Sequence, residues 1–289
     1  MASSRALSGR GLRTYADLRR RLARGGSARD AHRVFSVAPD HPDWPTRSFE
    51  EFDDYRSSIP PAAHEVSVVC VTHRPSMITA VADNVARQCG IDVELVVVTN
   101  ADGFDPAAVE SATATLERCT VLSEPGATSL GACLNRGMAA CSNRFVAKMD
   151  DDDYYTEHYL VDSLRAHSYA GAAVVGKHSY YADVAATGAR YLRFPGNEFR
   201  YSGTLAGGTL VVDRDRTGDL TFEDRSLGED RAFLRACHRR GLSTFAADRF
   251  GFVQHRGGDN TWHLPVDHFL VGAVEVALTA AEHAVDGPG

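Results

Sequence analysis

The chain has 289 residues, of which 44% are hydrophobic and 24% charged, and its formal net charge is −7. That length suits one large domain with extensions, since single cores stop growing near ~250–300 residues. The composition excludes wholesale disorder, and the acidic balance gives no general argument for a nucleic-acid partner. Six cysteines include no C-x-x-C pair, and Cys70 lies in an apolar run, so neither a disulfide framework nor a structural zinc site is expected. No apolar stretch approaches the ~20 residues of a membrane span, and the first residues carry arginines where a secretory signal needs an apolar core. The expectation is a cytoplasmic protein.

Residues 1–63 read as an extension, basic from Arg5 to Arg33 and acidic from Asp40 to Asp54. Leu12, Tyr15, Leu18 and Leu22 stand at helical spacing and predict a short amphipathic helix. It reads as a docking element for an anionic membrane surface or a partner, or as a solvated helix packed on the main domain, and the second is favoured. From residue 64 to 265 strands alternate with helices. Val66–Thr72, Val93–Thr99, Val121–Leu122 and Phe145–Met149 read as strands, separated by helices over Met77–Gln88, Pro106–Leu116 and Leu130–Cys141. Continuous apolar strands alternating with helices imply a parallel sheet covered on both faces, with its ligand site beyond the strands' C-terminal ends. Farther on, short strands are expected at Ala172–Val175, Thr209–Val212 and Phe252–His255, with a helix over Glu229–Arg239. Residues 266–289 form the third part, where Asp267–Val285 reads as a helix with Leu270, Val274 and Leu278 on one face.

Three segments carry chemistry. The run Lys148-Met149-Asp150-Asp151-Asp152-Asp153 ends the fourth strand, and four adjacent carboxylates are offset only by a cation or strong donors. Alternation lets Asp150 and Asp152 point the same way, and hard oxygen ligands suit Mg²⁺ or Mn²⁺. Lys148, one of only two lysines, can answer the carboxylates or reach a phosphate. Next, Ser226-Leu227-Gly228-Glu229-Asp230 opens a helix. Ser226 and Glu229 have capping-box spacing, whereas Asp230 sits in a first turn where the dipole favours its ionised form, suited to accept a proton. Finally, His255 precedes a Gly-Gly loop and reads either as a third metal ligand or as a histidine held by local hydrogen bonds, and Trp262 beyond it either as a stacking surface or as a core residue.

In order, VSVVCVTHRP, VELVVVTN, SLGACLNRGMAA, AKMDDDDYY, GGTLVVDRD, GEDRAFLRA and QHRGGDNTW resemble the family 2 glycosyltransferases with the GT-A fold, over roughly Val66 to Trp262. The resemblance implies a Rossmann-like, mainly parallel sheet flanked by helices, with the N-terminal helical extension and a C-terminal helix outside it. It implies an inverting, metal-dependent transfer from a nucleotide sugar, most simply a UDP-sugar, to an acceptor hydroxyl. Asp150 and Asp152 look like the D-x-D acids, the first near the ribose and the second on Mn²⁺ or Mg²⁺, which His255 completes. Asp230 resembles the catalytic base. Thr72, Arg74, Asn100, Asn135 and Lys148 fall where relatives hold the nucleotide, and Gly207 and Gly208 where a turn lies beside the donor sugar. Lys177 falls near the sugar side, and Glu229 and Trp262 are acceptor-side candidates. Relatives often end the second strand with an acidic pair that reads uracil; Asn100-Ala101-Asp102-Gly103 stands here instead.

Two alternatives compete with the transferase. A nucleotidyltransferase would carry a Gly-rich phosphate loop after the first strand, which THRPSM does not provide. A catalytically degenerate binding module would have no use for intact Asp150, Asp152 and Asp230.

Overall fold

In the computed structural model, the structure describes residue 56 and residues 59–257 and 264–276. The four apolar runs of the first half become β1 (Glu65–Thr72), β2 (Asp92–Asn100), β3 (Cys119–Glu124) and β4 (Phe145–Met149), all parallel, in the order β3-β2-β1-β4. The helices between them are α1 (Ile78–Ala86), α2 (Pro106–Thr113) and α3 (Leu130–Ala140). Asp105 and Ser129 cap α2 and α3 by accepting from the backbone N–H groups of Ala107 and Ala132.

The same sheet continues past β4 through β10 (Val211–Asp213), β6 (Val174–Gly176), β11 (Thr244–Ala246) and β9 (Arg200–Tyr201). β10 and β9 run antiparallel to their neighbours, so the eight-stranded sheet is mixed. Its period-two pattern sorts side chains to two faces. Val66, Val68, Cys70, Leu95 and Val97 pack with α1 and with Leu160 and Leu164 of α4 (Tyr159–Ala170). Val69, Val96 and Val146 pack with Leu134 of α3 and with Phe233, Leu234 and Cys237 of α6 (Glu229–Arg239).

A second sheet has the order β13-β8-β7-β12-β5, from β5 (Tyr154–Tyr155), β7 (Tyr180–Val184), β8 (Ala189–Arg193), β12 (Phe252–Arg256) and β13 (Val274–Val276). It meets the turn after β4 through the backbone N–H of His255, which donates to Asp153. Two short helices, α5 (Arg214–Thr217) and α7 (Val266–Phe269), complete the described chain. No helix among the described residues is long and apolar enough to cross a membrane.

The structure departs from the sequence reading in two places. Helix α4 was not legible, because buried Asp162, Ser163 and His167 interrupt its apolar stripe. Asp162 is held by Arg56 and Arg165, and His167 by the carbonyl of Val211. The long helix expected from Asp267 is also corrected. Among the described residues of that stretch only Val266–Phe269 is helical, and β-branched Val274 and Val276 belong to a strand that pairs antiparallel with β8; the rest of it lies outside the described residues. The expected helix over Leu12–Leu22 lies outside the described residues.

Candidate active site

The site is built where β4 leaves the sheet. Lys148, the penultimate residue of β4, is 4% exposed, and the chain then turns through Asp150–Asp153. The alternation expected of a strand survives in this turn. Asp151 and Asp153 are buried, while Asp150 and Asp152 present partly open carboxylates. The inward pair is tied down. Asp151 accepts from the hydroxyl of Thr72 and from Nε and Nη2 of Arg74, and Asp153 Oδ1 accepts from the backbone N–H of His255 at 3.0 Å. Burial, with Asp150 and Asp152 nearby, pushes the Asp153 carboxyl well above the usual range.

Lys148 joins this turn to α6. Its ammonium lies 2.7 Å from Asp150 Oδ1 and 3.3 Å from Asp230 Oδ2. Burial alone would lower the Lys148 pKa, but Asp150 and Asp230 outweigh it and hold the group protonated. The turn Gly207–Gly208 threads between the same two acids. A Cβ on Gly207 would stand 1.9 Å from Asp230 Oδ2, and one on Gly208 would stand 2.7 Å from Asp150 Oδ2. Only glycine allows this approach. Tyr155 fixes the turn from beneath: its hydroxyl accepts from the Asp150 N–H at 2.8 Å and donates to the Gly208 carbonyl at 2.7 Å. The sequence reading passed over Asp151, Asp153 and Tyr155. Only their places inside the acidic motif pointed to them.

The start of α6 differs from the capping box that the spacing suggested. Gly228, at φ 78°, is the N-cap, and Glu229 is the first helical residue. The Ser226 hydroxyl instead accepts from the Leu130 N–H at the start of α3. Glu229 is therefore free of capping duty. It is 4% exposed, and burial together with the Asp230 charge pushes its carboxyl up to about 7. Asp230 is raised by burial and by Asp150, while Lys148 pulls the other way. Asp230 Oδ1 is buried without a hydrogen-bond partner.

The remaining candidates divide. Thr72 and Arg74 belong to the acid cluster, and Arg74 Nη2 also lies 3.0 Å from Asp152 Oδ2. His255 stands beside the cluster, with Nδ1 3.0 Å from the Asp152 carbonyl and Nε2 3.7 Å from Asp183. Asn100 ends β2 and donates to the Pro125 carbonyl. Asn135 is a brace: its amide both donates to the Phe222 carbonyl and accepts from the Phe222 N–H. Lys177, expected near the sugar, is instead a core residue, 1% exposed and ion-paired with Asp248 at 2.7 Å. Trp262 lies outside the described residues.

The donor set bears on a metal. Among the described residues no three potential ligands gather into a closed cage. Mg²⁺ and Mn²⁺ sites commonly use one or two carboxylates and leave the other positions to water and substrate phosphates. Asp150 and Asp152, hard, adjacent and half-open over a glycine turn, fit that demand.

A parallel sheet whose C-terminal edge carries an acidic turn, a facing carboxylate on α6 and a glycine turn between them defines a GT-A glycosyltransferase domain. Residues 67–223, more than half of the chain, match the family model described as glycosyl transferase family 2, and the chain belongs to that family. Solved structures share the fold at low identity. The mannosyltransferase PcManGT from Pyrobaculum calidifontis, in complex with GDP-Man and Mn²⁺, aligns with TM-score 0.54 and 16% identity over 70% of this chain and 60% of its own. S. aureus TarS 1-349 in complex with UDP-GlcNAc aligns with TM-score 0.56 and 16% identity over 72% of this chain and 64% of its own. This chain thus spans about three fifths of the length of those relatives. No protein of curated function matches the sequence.

Proposed function

We propose that the protein is an inverting glycosyltransferase that moves a sugar from a nucleoside-diphosphate sugar, a UDP-sugar first among them, to an acceptor hydroxyl. The observation that carries this reading is the placement of Asp230. Its carboxylate faces Asp150 across Lys148 and Gly207–Gly208, and its Oδ1 is buried and unpartnered, available to a substrate proton. The UDP preference draws on TarS, solved with UDP and with UDP-GlcNAc, and is set against GDP-Man in the mannosyltransferase.

The chemistry follows from the placement. Asp230 takes the proton of the acceptor hydroxyl as its oxygen attacks the anomeric carbon on the face opposite the departing diphosphate. One displacement inverts the centre. Lys148 favours the ionised form of Asp230 and orients it, while the Glu229 carboxyl beside it is raised to about 7 by burial and by the Asp230 charge. Asp152 and Asp150, with His255 beside them, would hold a divalent cation, which supplies Lewis-acid neutralisation of the leaving diphosphate when bound. Arg74 must then release Asp152, since the guanidinium and a cation compete for one carboxylate.

The test is calorimetric titration of UDP, GDP, CDP and dTDP with and without Mn²⁺, using wild type and Asp152→Ala. Binding of one nucleotide that requires Mn²⁺ and is lost in the variant supports the transferase site. Absence of binding to all four by folded protein would overturn it and leave a degenerate binding module.

A further inference from the structure

Among the described residues, Arg193 stands apart from the buried cations that are paired with carboxylates. Lys177 meets Asp248 at 2.7 Å, and Arg249, 4% exposed, meets Glu198 at 2.8 Å. Arg193, the last residue of β8 and also 4% exposed, has its Nε and Nη1 buried with no hydrogen-bond partner. Its guanidinium carbon stands 3.7 Å from the Phe269 ring centroid, 4.5 Å from Phe194 and 5.9 Å from Tyr180. Ring faces attract a cation but do not replace the lost water around its N–H groups.

Among the described residues, no carboxylate is paired with Arg193. Besides burial, which lowers its pKa, the groups acting on Arg193 are the Tyr180 hydroxyl and a second cation, Arg256. Arg256 lies 5.3 Å from the same Phe269 ring and donates to the Leu264 carbonyl at 2.9 Å. The backbone holds this arrangement at a cost: Phe194, next in the chain, sits at φ 47°, and its carbonyl is gripped by the Ser179 hydroxyl and by the backbone and side-chain amides of Asn197. Two donors of a buried guanidinium are thus left unused beside a strained aromatic turn.

Its location separates it from the donor. Tyr155, which holds Asp150 and Gly208, pairs with Phe252; Phe252 packs on Tyr180 at 5.7 Å; and Tyr180 pairs with Arg193. Arg193 thus ends a row of side chains that starts beneath the acid cluster, its backbone three strand spacings or about 14 Å from that of Tyr155.

We propose that Arg193, with Arg256, forms a subsite for an anionic group of the acceptor, a phosphate or a carboxylate whose two oxygens match the guanidinium fork. The substrate class rests on the transferase reading above; the anion site itself does not.

The full chain would be titrated with inorganic phosphate and with acetate, by calorimetry and thermal melting, as wild type, Arg193→Met, Arg193→Lys and Arg256→Gln. UDP with Mn²⁺ would be titrated in parallel. The expected result is stabilisation of wild type by one of the anions and at least tenfold weaker anion binding in Arg193→Met. Arg193→Lys and Arg256→Gln should weaken it less, and nucleotide affinity should stay within twofold. Without anion, Arg193→Met should melt higher than wild type, because an unanswered buried charge is gone. An equal anion response in wild type and Arg193→Met, or a lower melting point in both Arg193 variants without anion, would overturn the site. A tenfold loss of UDP affinity in Arg193→Met would assign the anion to the donor and overturn the acceptor proposal. Anion binding that depends on Arg193, in a protein that binds none of the four nucleotides, would keep the site and discard the transferase reading.

Discussion

The Lys148 ammonium bridges Asp150 and Asp230, at 2.7 and 3.3 Å, from a position 4% exposed. One cation therefore links the donor-side acid to the candidate base. Lys148→Met keeps the length of the side chain and removes the charge, leaving two carboxylates facing each other in a buried place. Breaking such a pair costs about 3–5 kcal/mol. The expected result is a marked fall in melting temperature and loss of transfer of roughly 100-fold or more. Urea unfolding and a nucleotide-release assay would read the two effects, and an unchanged variant would contradict the bridge.

Asp230→Asn should separate binding from chemistry. The amide keeps the shape but cannot take a proton, so turnover should drop by about 10²–10⁴, with nucleotide affinity held within a few-fold. Gly207→Ala should do similar harm by a different route, since its added carbon would overlap Asp230 Oδ2 and force either the turn or the carboxylate to move. If Gly207→Ala retained full turnover, the close approach of turn and base would be irrelevant to the reaction.

The parts of this arrangement that were legible in the sequence are those set by local pattern. β1, β2 and β4 announce themselves as runs of apolar residues with few breaks, and α6 as an acidic start followed by a helical stripe. Asp150 and Asp152 were separable from Asp151 and Asp153 because alternation persists through the turn. What stayed hidden depends on partners far away in the chain. The Glu229 carboxyl looked like half of a capping box until Ser226 proved to be engaged by Leu130, across the gap to α3. Arg193 is one of 29 arginines, and nothing beside it signals that its guanidinium meets three rings and no acid. α4 was masked because two of its buried polar residues are answered from far along the chain, Asp162 by Arg56 and His167 by the Val211 carbonyl, which no window of sequence contains.

Arg74 occupies Asp152 as well as Asp151, so it should compete with any cation for that carboxylate. Arg74→Gln is expected to tighten Mn²⁺ binding by the protein alone several-fold, and Asp152→Asn to weaken it. Calorimetry with Mn²⁺ in the absence of nucleotide measures both. Weaker Mn²⁺ binding in Arg74→Gln would mean that the guanidinium organises the acids for the metal rather than opposing it.

Two buried groups make opposing contributions to the pH dependence of stability. Glu229, raised to about 7 by burial and by Asp230, favours the fold while protonated. Its contribution is complete below its unfolded pKa of ~4.3 and is lost as pH rises towards 7. His167, buried against the Val211 carbonyl and Phe145, is lowered by burial to about 4. Its contribution is complete above its unfolded pKa of ~6.5 and is lost as pH falls towards 4. Each is worth on the order of 2–3 kcal/mol across its window, so the two partly cancel in the wild type. Glu229→Gln removes one side of the balance. Its stability relative to wild type should therefore improve as pH rises from 4.5 to 7, and acid should unfold it at a higher pH. Denaturant melts at half-unit intervals between pH 4 and 7.5 would trace the difference, and a pH-independent difference would place the Glu229 carboxyl near its ordinary value, unmoved by burial and by the charge of Asp230.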